Sequence, residues 1–232
     1  MKKLLLFAAF AAFTFTTAKA QSEFRIGFKG GVNFASVGGD FTDNSNGRTS
    51  FHIGGLVEIP IMEKLAVQPE LMYSSLGNSN EDSGSESYGG LTYSYKEESD
   101  LKLDYISIPI MAKYYIIDGL SVEAGPQVSI LIKAESEYDY SETVSGGGET
   151  ISNSESGTDD VKELFKTLDL GFGIGGSYRL DFGLFFSARY VIGLSNVNDF
   201  NNYEIEDLED FYDGKEFKNT NNVLQLSVGY SF

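Results

Sequence analysis

Apolar and polar residues alternate most cleanly at the C-terminus, over residues 221–232. Leu224, Leu226, Val228, Tyr230 and Phe232 share one parity; Val223, Gln225, Ser227, Gly229 and Ser231 share the other. A period of two makes a strand with one apolar face. Five consecutive apolar positions running to a terminal aromatic suit a strand whose outer face meets hydrocarbon along its whole height. The pattern recurs upstream. Residues 24–37 set Phe24, Ile26, Phe28, Val32 and Phe34 against Arg25, Lys29 and Asn33. Further strands are predicted at about 51–60, 64–76, 120–134, 167–179 and 183–194, each with an aliphatic or aromatic face opposite a polar one, Lys133 falling on the polar face of its strand. Residues 101–115 break parity: Leu101, Leu103 and Tyr105 are odd, whereas Ile106, Ile108 and Ile110 are even. A bulge near Tyr105 or Pro109, or a first part projecting above the membrane, reconciles them.

Eight strands are expected, joined alternately by long and short connections. The short ones are 61–63, Asp118-Gly119 and 180–182; the long ones are about 38–50, 77–100, 135–166 and 195–222. Short turns on one rim and long loops on the other predict an all-β fold, an eight-stranded antiparallel up-and-down transmembrane β-barrel with its turns in the periplasm. Ile-Pro-Ile-Met recurs at 59–62 and 108–111, a repeat of hairpin construction and not of a solenoid.

The first twenty residues read differently. Lys2 and Lys3 precede an apolar run of about a dozen residues, too short to span a bilayer comfortably. Ala18-Lys19-Ala20 then fits a small-x-small cleavage site. A signal peptide over 1–20 and a barrel domain over 21–232 follow as the expected division. Cysteine is absent, which excludes disulfides and thiolate metal sites, and the one histidine, His52, argues against histidine-rich metal chemistry.

The formal charge is −17. The four long connections hold 25 of the 34 acids and six bases, so the barrel is nearly neutral and its outer loops are acidic. Such a chain repels nucleic acid. A water-soluble barrel has no reason to segregate charge in this way. The loops are expected to be solvated, with an unidentified extracellular protein or a weakly held cation, bridging lipopolysaccharide phosphates, as the partner they invite. The run 204–213 and the pair Asp159-Asp160 are the acidic candidates, but neither has the spacing of a calcium loop. Gly146-Gly147-Gly148 lacks the Gly-Lys-Ser/Thr of a phosphate loop. No metal or cofactor is expected.

Inward parity falls on Arg25, Lys29, Glu58, Glu70, Lys113, Glu123, Asp169, Arg179 and Arg189. An eight-stranded barrel is just wide enough to be filled by its own side chains, so these charges must pair. Counting up from the turns puts Lys29, Glu70, Glu123 and Arg189 near mid-height, as a structural ion-pair network. A proton or ion path is the functional alternative. His52, expected near the outer rim, has Ser50 and Asp40 close in sequence, but nothing specifies the geometry of a catalytic triad.

Several motifs together resemble the PorT-like outer-membrane β-barrel family of the Bacteroidota. They are Phe28-Lys29-Gly30-Gly31-Val32-Asn33, Tyr105-Ile106-Ser107-Ile108-Pro109 with Lys113-Tyr114-Tyr115, Ala124-Gly125-Pro126-Gln127, and Val228-Gly229-Tyr230-Ser231-Phe232. The resemblance spans the mature chain and implies a small monomeric barrel of the OmpA or OmpX type in the outer membrane. It implies contact with outer-membrane lipid and lipopolysaccharide, and with the barrel-assembly machinery through the strand ending at Phe232. It implies no reaction. The expected function is a non-enzymatic membrane-anchored scaffold or surface-interaction protein. A small pore, transport or secretion-associated barrel is the alternative, and an outer-membrane hydrolase or acyltransferase is a more distant one.

Overall fold

The computed structural model describes residues 24–40, 46–199 and 218–232. The leader 1–20 and the acidic run 204–213 lie outside the described residues. Among the described residues nine strands follow one another: β1 Arg25–Gly39, β2 Asn46–Met62, β3 Leu65–Tyr88, β4 Leu91–Ile117, β5 Leu120–Gly146, β6 Glu149–Asp160, β7 Leu168–Arg179, β8 Leu184–Gly193 and β9 Asn219–Ser231. All pairings between them are antiparallel. Eight strands close a ring in the order β1-β2-β3-β4-β5-β7-β8-β9, and β9 returns to β1 from Gly27↔Ser231 to Gly39↔Asn219. Closure removes the edges that an open sheet would expose inside a bilayer.

The outer face is apolar because alternate residues cannot turn inward. Ile26 is 61% exposed, Leu71 61% and Ile174 55%, proportions suited to lipid and not to water. Near the final residue, Phe232 lies 5.1 Å from Tyr230 between ring centroids and 6.4 Å from Phe28 across the closing seam.

Two expectations are corrected. Residues 77–100 and most of 135–166 are not irregular loops. β3 and β4 pair without interruption up to Tyr88↔Leu91, and β5 pairs with β6 up to Gly146↔Glu149. Polar sequence hides these strands from a hydrophobic period. What closes them is the paired glycines at each tip, with φ of 62° and 83° at Gly89 and Gly90 and 63° and 88° at Gly147 and Gly148. Positive φ at both central residues gives the turn whose twist matches a hairpin. The upper parts of β3, β4 and β5, with the whole of β6, thus form one four-stranded sheet that rises from the wall of the barrel.

The second correction concerns strand four. β4 keeps a single register against β3 and a single parity, with Leu103, Tyr105, Ser107 and Met111 all inward. At Tyr105 the irregularity lies on the partner strand: Asp104 pairs with Lys133 but Tyr105 with Leu131, which makes Ile132 the extra residue of β5. Its consequence is that Ile132 and Lys133 both face outward, so Lys133 leaves the lumen face it was expected to occupy.

Candidate functional site: lumen and projecting sheet

Inward side chains fill the lumen in layers. Lowest, toward the short turns, Glu58 accepts hydrogen bonds from Arg25 at 2.6 Å, Tyr115 at 2.6 Å and Lys113 at 2.8 Å. Lys113 also donates to Gln68 Oε1 at 3.0 Å, and Gln68 Nε2 donates to Glu70 at 2.7 Å. Gln68 therefore joins this layer to the next.

The structure brings Lys29, Glu70, Glu123 and Arg189 together at mid-height. Arg189 grips Glu70 with two parallel bonds of 2.9 and 2.7 Å and donates from Nε to Glu123 at 2.8 Å. Lys29 Nζ lies 2.8 Å from Glu70. Fork-to-carboxylate pairing of this kind is directional as well as strong. The guanidinium reaches across because β7 presents glycine opposite it: a Cβ on Gly173 would lie 3.2 Å from Arg189 Cδ. The four charges sum to zero within the layer, which makes their burial tolerable.

His52 belongs to the layer above and not to the rim. Its ring bonds to Asn33 Oδ1 at 2.8 Å and to Ser227 Oγ at 2.7 Å. Asn33 Oδ1 also accepts from Gln225 at 3.1 Å, so it acts as an acceptor and assigns the proton to His52 Nδ1. Ser50 instead donates to the Ser75 carbonyl, and Asp40 accepts from the Lys218 amide. The three residues of the imagined triad are thus on three separate errands.

Above this the lumen turns apolar. Ala35, Leu76, Leu103, Tyr105, Leu131, Ala134, Val191 and Val223 pack together, with Val161 and Phe165 against them. Val161 and Phe165 come from the link between β6 and β7, and buried Val197 from the chain after β8. The link is tied to that chain by Lys166 N to Val197 O at 2.8 Å and Asp199 N to Leu164 O at 2.9 Å. Asp169 accepts from Ser195 at 2.6 Å and from Asn221 at 2.9 Å, and Asn221 also donates to Tyr105. The odd-numbered Leu101, Leu103 and Tyr105 carried the sequence signal for this layer. The cavity among Glu58, Gln68, Lys113 and Tyr115 measures only 10 Å³, about the least that holds one water.

Beyond the ring, the four-stranded sheet has two unlike faces. Register places Ser85↔Ser94, Ser87↔Thr92 and Thr143↔Ser152 in rows on one face, each pair hydrogen-bonded through its hydroxyls at 2.9–3.1 Å. Toward the barrel this face becomes acidic, with Glu81, Glu98, Asp100, Glu137 and Asp139 around an open hollow of 510 Å³. Lys96 pairs there with Glu81 and Glu98, and Lys102 with Glu137.

The other face, which continues the lumen side of the strands, carries Tyr88, Tyr93, Tyr95, Tyr138 and Tyr140 among the carboxylates of Asp82, Glu86, Glu97, Glu142, Glu149 and Glu155. Tyr95 lies across Gly84 and Tyr138 across Gly157; a Cβ would meet the Tyr95 ring at 2.5 Å and the Tyr138 hydroxyl at 2.5 Å. Tyr93 donates to Glu142 at 3.2 Å and bonds Tyr140 at 3.0 Å, and Tyr95 donates to Asp82 at 3.3 Å. Negative charge beside these phenols resists their ionisation: Asp82 pushes the Tyr95 hydroxyl above the usual tyrosine value, and the bond to Tyr93, with Glu142 nearby, raises that of Tyr140. Among the described residues, no three or more histidine, aspartate or glutamate side chains are grouped closely enough to hold a metal ion.

Over residues 19–199 the sequence matches the family described as outer membrane protein beta-barrel domain. No curated protein sequence matches it. Among solved structures, the chain is similar to Ail, the attachment invasion locus protein of Yersinia pestis. The identity is 12%, over 91% of this chain and 100% of that one, with a TM-score of 0.40. It is similar also to Neisserial surface protein A, at 14% identity over 91% and 98% of the chains and a TM-score of 0.45. A third is CarO of Acinetobacter baumannii, at 13% identity over 88% and 97% and a TM-score of 0.35. The chain belongs to the outer-membrane β-barrel domain family.

Proposed function

We propose that this protein is a non-enzymatic surface barrel, a filled membrane anchor that holds a two-faced β-sheet outside the cell to engage a partner. The observation that carries this reading is the contrast between the two ends. The lumen is occupied by ion pairs, a polar layer and an apolar layer in turn, whereas β3–β6 extend a further hairpin's length beyond it. A proton path would follow the column from Arg25 through Glu58, Lys113, Gln68 and Glu70 to Arg189. The apolar packing of Leu103, Tyr105 and Leu131 interrupts such a column. Catalysis finds no support at His52, whose ring partners are an amide and a hydroxyl.

The ion-pair network of Lys29, Glu70, Glu123 and Arg189 is read as structural, fixing the register of β1, β3, β5 and β8. Outer-membrane lipid and lipopolysaccharide surround the apolar wall, and the assembly machinery reads β9 and Phe232. The protein works as a monomer, because ring closure satisfies its membrane strands. A PorT-like relationship and a Bacteroidota-like source are the narrower readings that the Phe28–Asn33 and Val228–Phe232 motifs support.

Planar-bilayer recording of the purified protein tests the reading. No stepwise conductance above the bare bilayer is expected. Discrete ion-conducting steps would overturn it in favour of the small-pore alternative.

A further inference from the structure

We propose that the tyrosine-bearing face of the extracellular sheet docks an arginine- and lysine-rich polypeptide. This deepens the surface-interaction reading and rests on it. The two faces share the same four strands but differ in chemistry. Rows on the hydroxyl face offer small, mutually satisfied groups, and the acids nearer the barrel already have Lys96 and Lys102 beside them. The tyrosine face carries seven carboxylates, Asp159 at its foot included, and no base. Tyr95 and Tyr138 pack over Gly84 and Gly157, where a side chain would displace them, and Tyr93 and Tyr95 stand 6.4 Å apart between centroids.

A cation over an aromatic face is attracted by the ring quadrupole, and guanidinium does this best because it also stacks. Carboxylates between the rings supply the charge-assisted hydrogen bonds. Tyrosine hydroxyls donate to those carboxylates and hold them in place, while each carboxylate retains further acceptor positions. The chain's own undescribed stretch, 200–217, does not complement this face, because it carries seven acids and the single base Lys215. An acidic partner, nucleic acid included, is repelled.

The test uses the full-length protein folded in uncharged detergent, at physiological ionic strength, with labelled oligoarginine as probe. Oligoglutamate and a neutral oligosaccharide serve as the other probes. Two charge variants remove the same number of acids from adjacent rows on opposite faces: Glu97→Gln with Glu155→Gln on the tyrosine face, and Glu98→Gln with Asp139→Asn on the other. The first pair is expected to weaken oligoarginine binding by about tenfold and the second by less than about twofold. Tyr93→Ser with Tyr140→Ser is expected to cost about tenfold, and Tyr93→Phe with Tyr140→Phe less than about threefold, since the rings that meet the cation remain while Glu142 loses the hydroxyls that hold it. Equal losses from the two charge pairs would reduce the effect to the general field of the acids and overturn the proposal. So would unchanged binding in the serine pair, or capture of the oligosaccharide in place of oligoarginine. Absence of binding by a protein that also fails to conduct would sink this inference while leaving the filled-anchor reading intact.

Discussion

At the residue scale, Arg189 does the most within the lumen, because it is the cation that meets both Glu70 and Glu123. Lys29 remains beside Glu70 if Arg189 is lost, so Glu123 becomes the stranded charge. Breaking a buried pair costs about 3–5 kcal/mol. Arg189→Ala is expected to lose about that much in denaturant titrations of the protein in lipid vesicles. Arg189→Lys should fall between it and wild type, because a single ammonium cannot reproduce the fork. Stability unchanged in Arg189→Ala would show that the pairing is incidental. The tyrosines outside the membrane make a second prediction. Tyr95 and Tyr140 have folded-state values raised above the ordinary 10.0. Their contribution is therefore fully present below pH 10 and is lost as pH climbs through the raised values. Ultraviolet titration of the folded protein should show part of the tyrosine absorbance change delayed to higher pH, and replacing Asp82 by Asn should advance it.

At the element scale, the wall and the projecting sheet obey different rules. Ile174 on β7 sits beside Ala124 and Tyr190, at the height of the Glu123–Arg189 layer, and faces lipid. Ile174→Arg should cost about 2–4 kcal/mol if that height is the midplane, read in the same vesicle titration. A cost near zero would move the midplane away from the ion network. The hairpin tips depend on backbone conformation. Alanine at Gly89 and Gly90 must adopt positive φ, at about 1–2 kcal/mol per residue. Hydrogen exchange should accelerate near the tip, from Ser85 to Thr92, while the refolding midpoint of the barrel stays fixed, because the turn lies well above the ring.

At the scale of the whole molecule, closure between β1 and β9 converts a sheet into a container, and its contents decide what it can do. The charged layers, the polar layer around Asn33 and His52 and the apolar layer around Tyr105 are stacked along one axis, so a solute would have to displace all of them. The four-stranded sheet, by contrast, adds no enclosed space. It adds area, held by β3, β4 and β5, which continue from the wall, with β6 paired alongside. The filled ring and the projecting sheet are therefore consequences of one register, carried without a break from Leu65 to Tyr88 on β3.

The ring is legible in the order of residues alone. Lipid demands an apolar residue at every second position of a spanning strand, and a two-residue period is readable without any knowledge of partners, so the eight spanning segments and the inward parity of Lys29, Glu70, Glu123 and Arg189 could be read directly. The tertiary structure alone decided which of those charges touch, because contact depends on register between strands far apart in the chain, as with Glu70 and Arg189. It also decided that Ile132 is the extra residue in β5, since Leu103 and Tyr105 already carried a uniform parity that only looked broken when every apolar residue was assigned to lipid. The outer sheet was hidden for a related reason. Its alternation is tyrosine against serine and threonine, visible in Thr92-Tyr93-Ser94-Tyr95, and neither set is driven to a face by burial. Only pairing with neighbouring strands makes that alternation into two surfaces.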